Sequence, residues 1–358
     1  MVFELKQISC LDRVFLDGKC TMDEISGETA LKGERVSYQL AYKSDEMTDM
    51  HIEVESDLGD CVTVRSVGNV PSEVPIWDDF DDYYERTEPG LFPDVLYPIE
   101  NGTLETKRKN WHSLWVTAEI PEDASAGRHD INVTLYFNEE SVKKTFTVDV
   151  IDAVLPEQKL IYTNWFHADC IADYFNEPVF SERYWKILGE YMKAAAHTGV
   201  NMILTPVFTP PLDTKIGGER TTVQLVDVEV TDSGYKFGFD KLRRWIKLAK
   251  ESGIKYFEIS HLFSQWGAVA APKVMAGDKK IFGWDTVASS KEYSDFLQAF
   301  LPELIEVIKE EKIENATYFH ISDEPSVEQL DSYLKAKSIV KDILRDFPII
   351  DALSEYDF

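Results

Sequence analysis

The chain has 358 residues, of which 44% are hydrophobic and 12% aromatic, so it is a globular protein with enough apolar mass for two cores rather than a disordered chain. Its formal charge of −27 at pH 7 works against phosphate binding, which excludes nucleic acid as a partner and favours a neutral substrate. No apolar run reaches the roughly 20 residues that a membrane-spanning helix needs.

The first part of the chain reads as strand after strand. Val36, Tyr38, Leu40 and Tyr42 alternate with smaller or more polar neighbours, and the same period-two pattern returns at Ile52–Val54, Val62–Val64, Leu114–Ala118, Ile131–Leu135 and Phe146–Val150. Short alternating strands without helical stripes predict an N-terminal β-sandwich over residues 1–155. A passage from Val70 to Asn110, rich in proline, aromatic and acidic residues and including Trp77 to Tyr84, reads as a long loop. Leu155-Pro156 marks an interdomain linker.

From residue 156 to 358 the period changes to strand–helix alternation. Strands are predicted at Leu160–Phe166, Asn201–Thr205, Lys255–His261, Ala316–Ser322 and Pro348–Ser354. Helices opened by Ser181, Asp240, Ser290 and Ser326 lie between them, with Gly199 and Gly253 closing the first two. Such units predict a parallel (β/α)8-type barrel, of which about five units are present, so the chain is expected to be C-terminally incomplete.

Chemistry in such a fold gathers where strands end. Ser322-Asp323-Glu324-Pro325 sets two adjacent carboxylates there, and Ser326 with Gln329 already has the spacing of a capping box. The helix start therefore does not need the acidic pair, which serves either as catalytic groups or as a complement to the helix dipole. The other strand ends bring Trp165, His167, Asp169, His261, Gln265, Trp266, Trp284 and Asp351. Aromatic faces among polar groups suit a sugar pocket, although each tryptophan equally suits rim packing. His320, inside a strand, reads as a core histidine. His167, Asp169, His261 and Asp351 have no compact metal-ligand spacing, and Cys10, Cys20, Cys61 and Cys170 show no C-x-x-C pattern. No metal or other cofactor is expected. Reduced thiols and a first segment without a basic region leading into an apolar core point to a cytoplasmic location.

Several segments together resemble glycoside hydrolase family 123. They are Trp165–Asp169, Leu204–Pro206, Thr209–Thr214, Ile259–Gly267 and Tyr318–Pro325. The resemblance covers the whole chain and implies a sandwich followed by a (β/α)8 barrel. It also implies an exo-acting β-N-acetylgalactosaminidase that cleaves a terminal β-linked N-acetylhexosamine from a glycan. By the same resemblance, the substrate's own 2-acetamido group is the nucleophile. Asp323 would orient that group, and Glu324 would serve as the acid/base. A hydrolase of another N-acetylhexosaminide and a non-catalytic glycan-binding protein remain the competing readings.

Overall fold

The computed structural model describes residues 2–78, 82–212 and 214–353. Asp79, Phe80 and Asp81 of the acidic passage, Asp213 and Ser354 lie outside the described residues. The chain divides into two compact units, Met1–Glu157 and Gln158–Phe358.

Among the described residues of the first unit there are ten strands: β1 Phe3–Ser9, β2 Gly27–Lys32, β3 Arg35–Ser44, β4 Asp49–Glu55, β5 Val62–Ser72, β6 Gly90–Pro98, β7 Thr103–Glu105, β8 Trp111–Glu119, β9 Gly127–Phe137 and β10 Glu140–Val154. They form two five-stranded sheets, ordered β1-β3-β8-β5-β6 and β2-β10-β9-β4-β7. Alternation puts Val36, Tyr38, Leu40, Leu114 and Val116 of the first sheet against Ile131, Val133, Leu135, Phe146 and Val148 of the second. Tyr38 and Phe146 stack at 4.0 Å across this core. The passage from Val70 to Asn110 is not one long loop. It contains β6, which pairs antiparallel with β5 and carries Pro93. Proline lacks an N–H donor, so it is tolerated here because β6 is an edge strand with an irregular register.

The second unit holds a five-stranded parallel sheet and helices. Its elements run β11 Thr163–Asn164, α1 Ala168–Phe175, α2 Glu182–His197, β12 Met202–Thr205, β13 Asp227–Thr231, β14 Gly234–Gly238, α3 Asp240–Glu251, β15 Tyr256–Ile259, β16 Val274–Ala276, β17 Lys279–Phe282, α4 Lys291–Glu310, β18 Thr317–His320, α5 Leu330–Val340 and β19 Ile349–Ile350. The parallel order is β11-β12-β15-β18-β19. Ser181 and Ser290 accept from the N–H groups of Tyr184 and Tyr293, which starts α2 and α4. Asp240 is the first residue of α3 rather than its cap, since Phe239 holds the cap position. Two hairpins, β13–β14 and β16–β17, stand in the connections between strand and helix.

Along the central strands Ile203, Phe257, Ile259 and Phe319 join the core beneath the helices. Their neighbours Leu204, Glu258, Tyr318 and His320 therefore take the opposite face of the sheet. No helix among the described residues is long and apolar enough to cross a membrane.

Candidate active site

Residues after β15 run beside those after β18 and fix the acidic turn. Leu262 N–H donates to the His320 carbonyl at 3.3 Å, and Phe263 N–H to that of Ile321 at 3.1 Å. The Ser322 hydroxyl donates to the Ser264 carbonyl at 2.8 Å. Trp266 N–H reaches the Asp323 carbonyl at 2.8 Å, and Glu324 N–H reaches that of Ala352 at 3.1 Å. Backbone tied on both sides leaves little freedom for the two carboxylates it carries.

The pair occupies two environments. Asp323 is buried, at 5% exposure, whereas Glu324 is exposed. Glu324 also sits in the left-handed region at φ 43°, a strained state for a side chain of this size. Strain of this kind persists only where surrounding bonds enforce it, and it concentrates at functional sites. The neighbouring loop after β15 turns instead on a glycine. Gly267 has φ +95°, and a Cβ there would meet the Gln329 Cβ at 2.9 Å, so only glycine fits.

Glu324 lines a cleft of about 490 Å³ together with Trp165, Glu258, His320 and Asp351. Burial pushes the Asp351 carboxyl from 3.8 up to about 7. The Asp323 charge adds to that rise, while His320, the Tyr333 hydroxyl and the Ala352 N–H pull the other way. Both Asp351 oxygens are shielded from water.

Three predicted residues, Trp165, Glu324 and Asp351, thus share one cleft, with Asp323 beside it. The others are placed differently. His261 is fully buried and stacks on His320 at 4.2 Å, with the Trp165 ring edge-on at 5.5 Å. Asp169 is buried in a two-bond pair with Arg220, at 2.7 and 3.1 Å. Gln265 donates to the Thr214 carbonyl at 2.6 Å, and the Trp284 indole to that of Gly218 at 3.0 Å. Trp284 belongs to a small recess with Pro210, Pro211 and Lys273, apart from the carboxylate cleft. Trp266 is 41% exposed. His167 lines an adjoining groove of about 470 Å³ with Trp165, Ile171, Tyr174 and Phe175, whose described walls hold no carboxylate.

The sequence places Glu258 at the end of the third strand without assigning it a role, and His320 reads as core. His320 is indeed buried and bonded to Glu258, yet both line the cleft. The available signal was a lone charge in the apolar run Tyr256-Phe257-Glu258-Ile259. Among the described residues no three His, Cys, Asp or Glu side chains are grouped to hold a metal ion.

The family description "Glycoside hydrolase 123, catalytic domain" matches residues 165–358, more than half of the chain. The chain belongs to glycoside hydrolase family 123. A family 123 glycoside hydrolase from Clostridium perfringens, whose structural analysis concerned glycolipid glycan hydrolysis, matches with TM-score 0.76 and 16% identity. The match covers 100% of this family 123 chain and 66% of that one, so the present chain spans 66% of that relative's length. At that identity the likeness shows the fold alone. The β-glucuronidase 3 of Bacteroides uniformis, with TM-score 0.25 and 9% identity, covers 89% of this chain and 31% of its own. A PapD-like domain of human CEP192, with TM-score 0.21 and 12% identity, covers 42% and 86% respectively. Those scores carry no argument. No curated protein matches the sequence significantly.

Proposed function

We propose that the chain is the catalytic portion of a retaining exo-β-N-acetylgalactosaminidase that works by substrate assistance. In this reading residues 1–155 form a β-sandwich domain, and the parallel sheet of residues 156–358 is part of a (β/α)8 barrel.

One observation carries the mechanism: Glu324, which lines the cleft, and Asp323, beside it, are neighbours in sequence, one exposed and one buried, at a single strand end. Two-carboxylate glycosidases oppose their groups across the scissile bond, roughly 5 to 9.5 Å apart, which adjacent residues on one turn are badly placed to do. Substrate assistance needs no such opposition. The 2-acetamido carbonyl oxygen attacks the anomeric carbon as the glycosidic C–O bond breaks, which gives an oxazolinium ion. Glu324 gives its proton to the leaving oxygen, then takes one from the water that opens the ring. Asp323 accepts a hydrogen bond from the acetamido N–H and stabilises the positive charge that develops there. Trp165 offers an aromatic wall to the apolar face of the sugar, and Asp351 contributes a hydrogen-bonding group within the same cleft. The C. perfringens relative, studied for glycolipid glycan hydrolysis, makes a glycolipid- or glycoprotein-derived glycan the substrate class we favour.

A nitrophenyl 2-acetamido-2-deoxy-β-galactoside should be hydrolysed, and the matching sugar with a plain 2-hydroxyl should not. A thiazoline mimic of the oxazolinium should inhibit far more strongly than the free sugar binds. Equal hydrolysis of the two glycosides removes the acetamido group from the mechanism. Preference for the gluco epimer assigns the other N-acetylhexosamine, and binding without hydrolysis assigns a glycan-binding protein.

A further inference from the structure

The chemistry above makes no use of the most deeply buried carboxylate at the cleft. Glu258 is 1% exposed on β15, where an anion is costly unless donors surround it. Three donors converge on it. Thr163 Oγ1 reaches Oε2, the His320 Nε2 reaches Oε1, and the Trp165 Nε1 reaches the same Oε1 at 2.9 Å. Burial raises the Glu258 pKa, but the bond and charge of His320 and then the other two bonds outweigh it and leave it below the ordinary value. Glu258 is therefore a carboxylate at neutral pH. A carboxylate only accepts, so His320 must carry a proton on Nε2.

The other ring nitrogen of His320, Nδ1, is buried with no hydrogen-bond partner in the structure. Behind His320 lies His261, stacked at 4.2 Å, with both ring nitrogens equally unpartnered. Burial first, then the neighbouring His320 and His167, holds His261 neutral. The imidazole of His320 is thus clamped by an anion on one edge and a neutral ring on one face.

We propose that Glu258 is a positioning residue of the sugar cleft. It holds the Trp165 indole as a cleft wall, and it fixes His320 with Nε2 protonated so that Nδ1 is the nitrogen left for a ligand. This rests on the reading that the cleft binds the sugar, because only then do Trp165 and His320 touch substrate. Glutamine at 258 keeps an Oε1 that accepts from both rings, while its amide can donate to the Thr163 hydroxyl. Leucine of similar size accepts nothing.

The test compares the full chain with Glu258→Gln and Glu258→Leu on nitrophenyl 2-acetamido-2-deoxy-β-galactoside, with rates corrected for the folded fraction. The expected result is a loss of roughly 10²-fold in kcat/KM for leucine and less than about tenfold for glutamine, because displaced contact groups cost turnover. Equal kcat/KM per folded molecule in the leucine variant would overturn the proposal and leave Glu258 a packing residue. Should leucine prevent folding, or the wild type hydrolyse no sugar, the ¹⁵N spectrum of the histidine rings in the wild-type protein decides without any substrate. His320 showing a protonated Nε2 at neutral pH supports the clamp, and an unprotonated Nε2 refutes it.

Discussion

Replacing Asp351 with asparagine isolates the carboxyl that the cleft holds in its neutral form. The groups facing it are His320, the Tyr333 hydroxyl, Asp323 and the Ala352 N–H, with Glu324 in the same cleft. In the folded protein it titrates at about 7, against 3.8 for the ordinary side chain. Between those values the folded state binds the proton and the unfolded state does not, so stability must fall as pH rises. The contribution is complete below the unfolded value and is lost as pH climbs through the folded one. A shift of about three pKa units at about 1.4 kcal/mol each gives about 4 kcal/mol over the full window, and partial exposure reduces this to about 2 kcal/mol. Asparagine has no proton to lose and escapes the penalty. Urea unfolding at about pH 5 and about pH 8.5 should therefore show Asp351→Asn gaining about 1–3 kcal/mol on the wild type at the higher pH. Other titrating groups largely cancel in that difference. A mutant-to-wild-type gap that stays the same at both pH values would mean that Asp351 ionises normally and that its burial has been misread.

Two further substitutions separate chemistry from scaffold. Glu324→Gln should retain most activity on aryl glycosides with very good leaving groups and lose roughly 10²–10⁴-fold on poor ones, because only the latter need the proton; equal losses on both would remove Glu324 from the acid role. Arg220→Ala leaves the Asp169 carboxylate buried without its guanidinium and should cost about 3–5 kcal/mol of stability in thermal or urea unfolding, with little change in kcat per folded molecule; a selective fall in kcat would place Asp169 on the substrate.

The elements most readable from sequence were those with a local cause. Ser181, Ser290 and the Ser326–Gln329 box each announced a helix start; the structure places a side-chain cap at the first two, and the box on the short 3-10 turn Val327–Gln329 that leads into α5. The five parallel strands were legible as apolar runs, though their paired cores are shorter than the runs suggested, two residues at each edge of the sheet. The hairpins that turn at Gly234 and Gly277 are less legible, because their short alternation lies inside long connections between strand and helix and carries no helical stripe or cap. At the site, Asp323 and Glu324 stood out because their position at a strand end is a local property. Asp169 did not betray its role, since Arg220 lies 51 residues away and only the fold brings the two together. Glu258 and His320 are 62 residues apart, and their pairing depends on β15 and β18 being neighbours. Local pattern finds a strand end, but it cannot say which of the polar residues there already has a partner.

In substrate assistance the acetamido group of the substrate attacks first and water then opens the oxazolinium, a double displacement at the anomeric carbon. The most direct measurement is ¹H NMR of the sugar released from nitrophenyl 2-acetamido-2-deoxy-β-galactoside, recorded before mutarotation. The β anomer should appear first and decay slowly toward the equilibrium mixture. Initial release of the α anomer would mean a single displacement by water, and would contradict the assignment of Asp323 and Glu324.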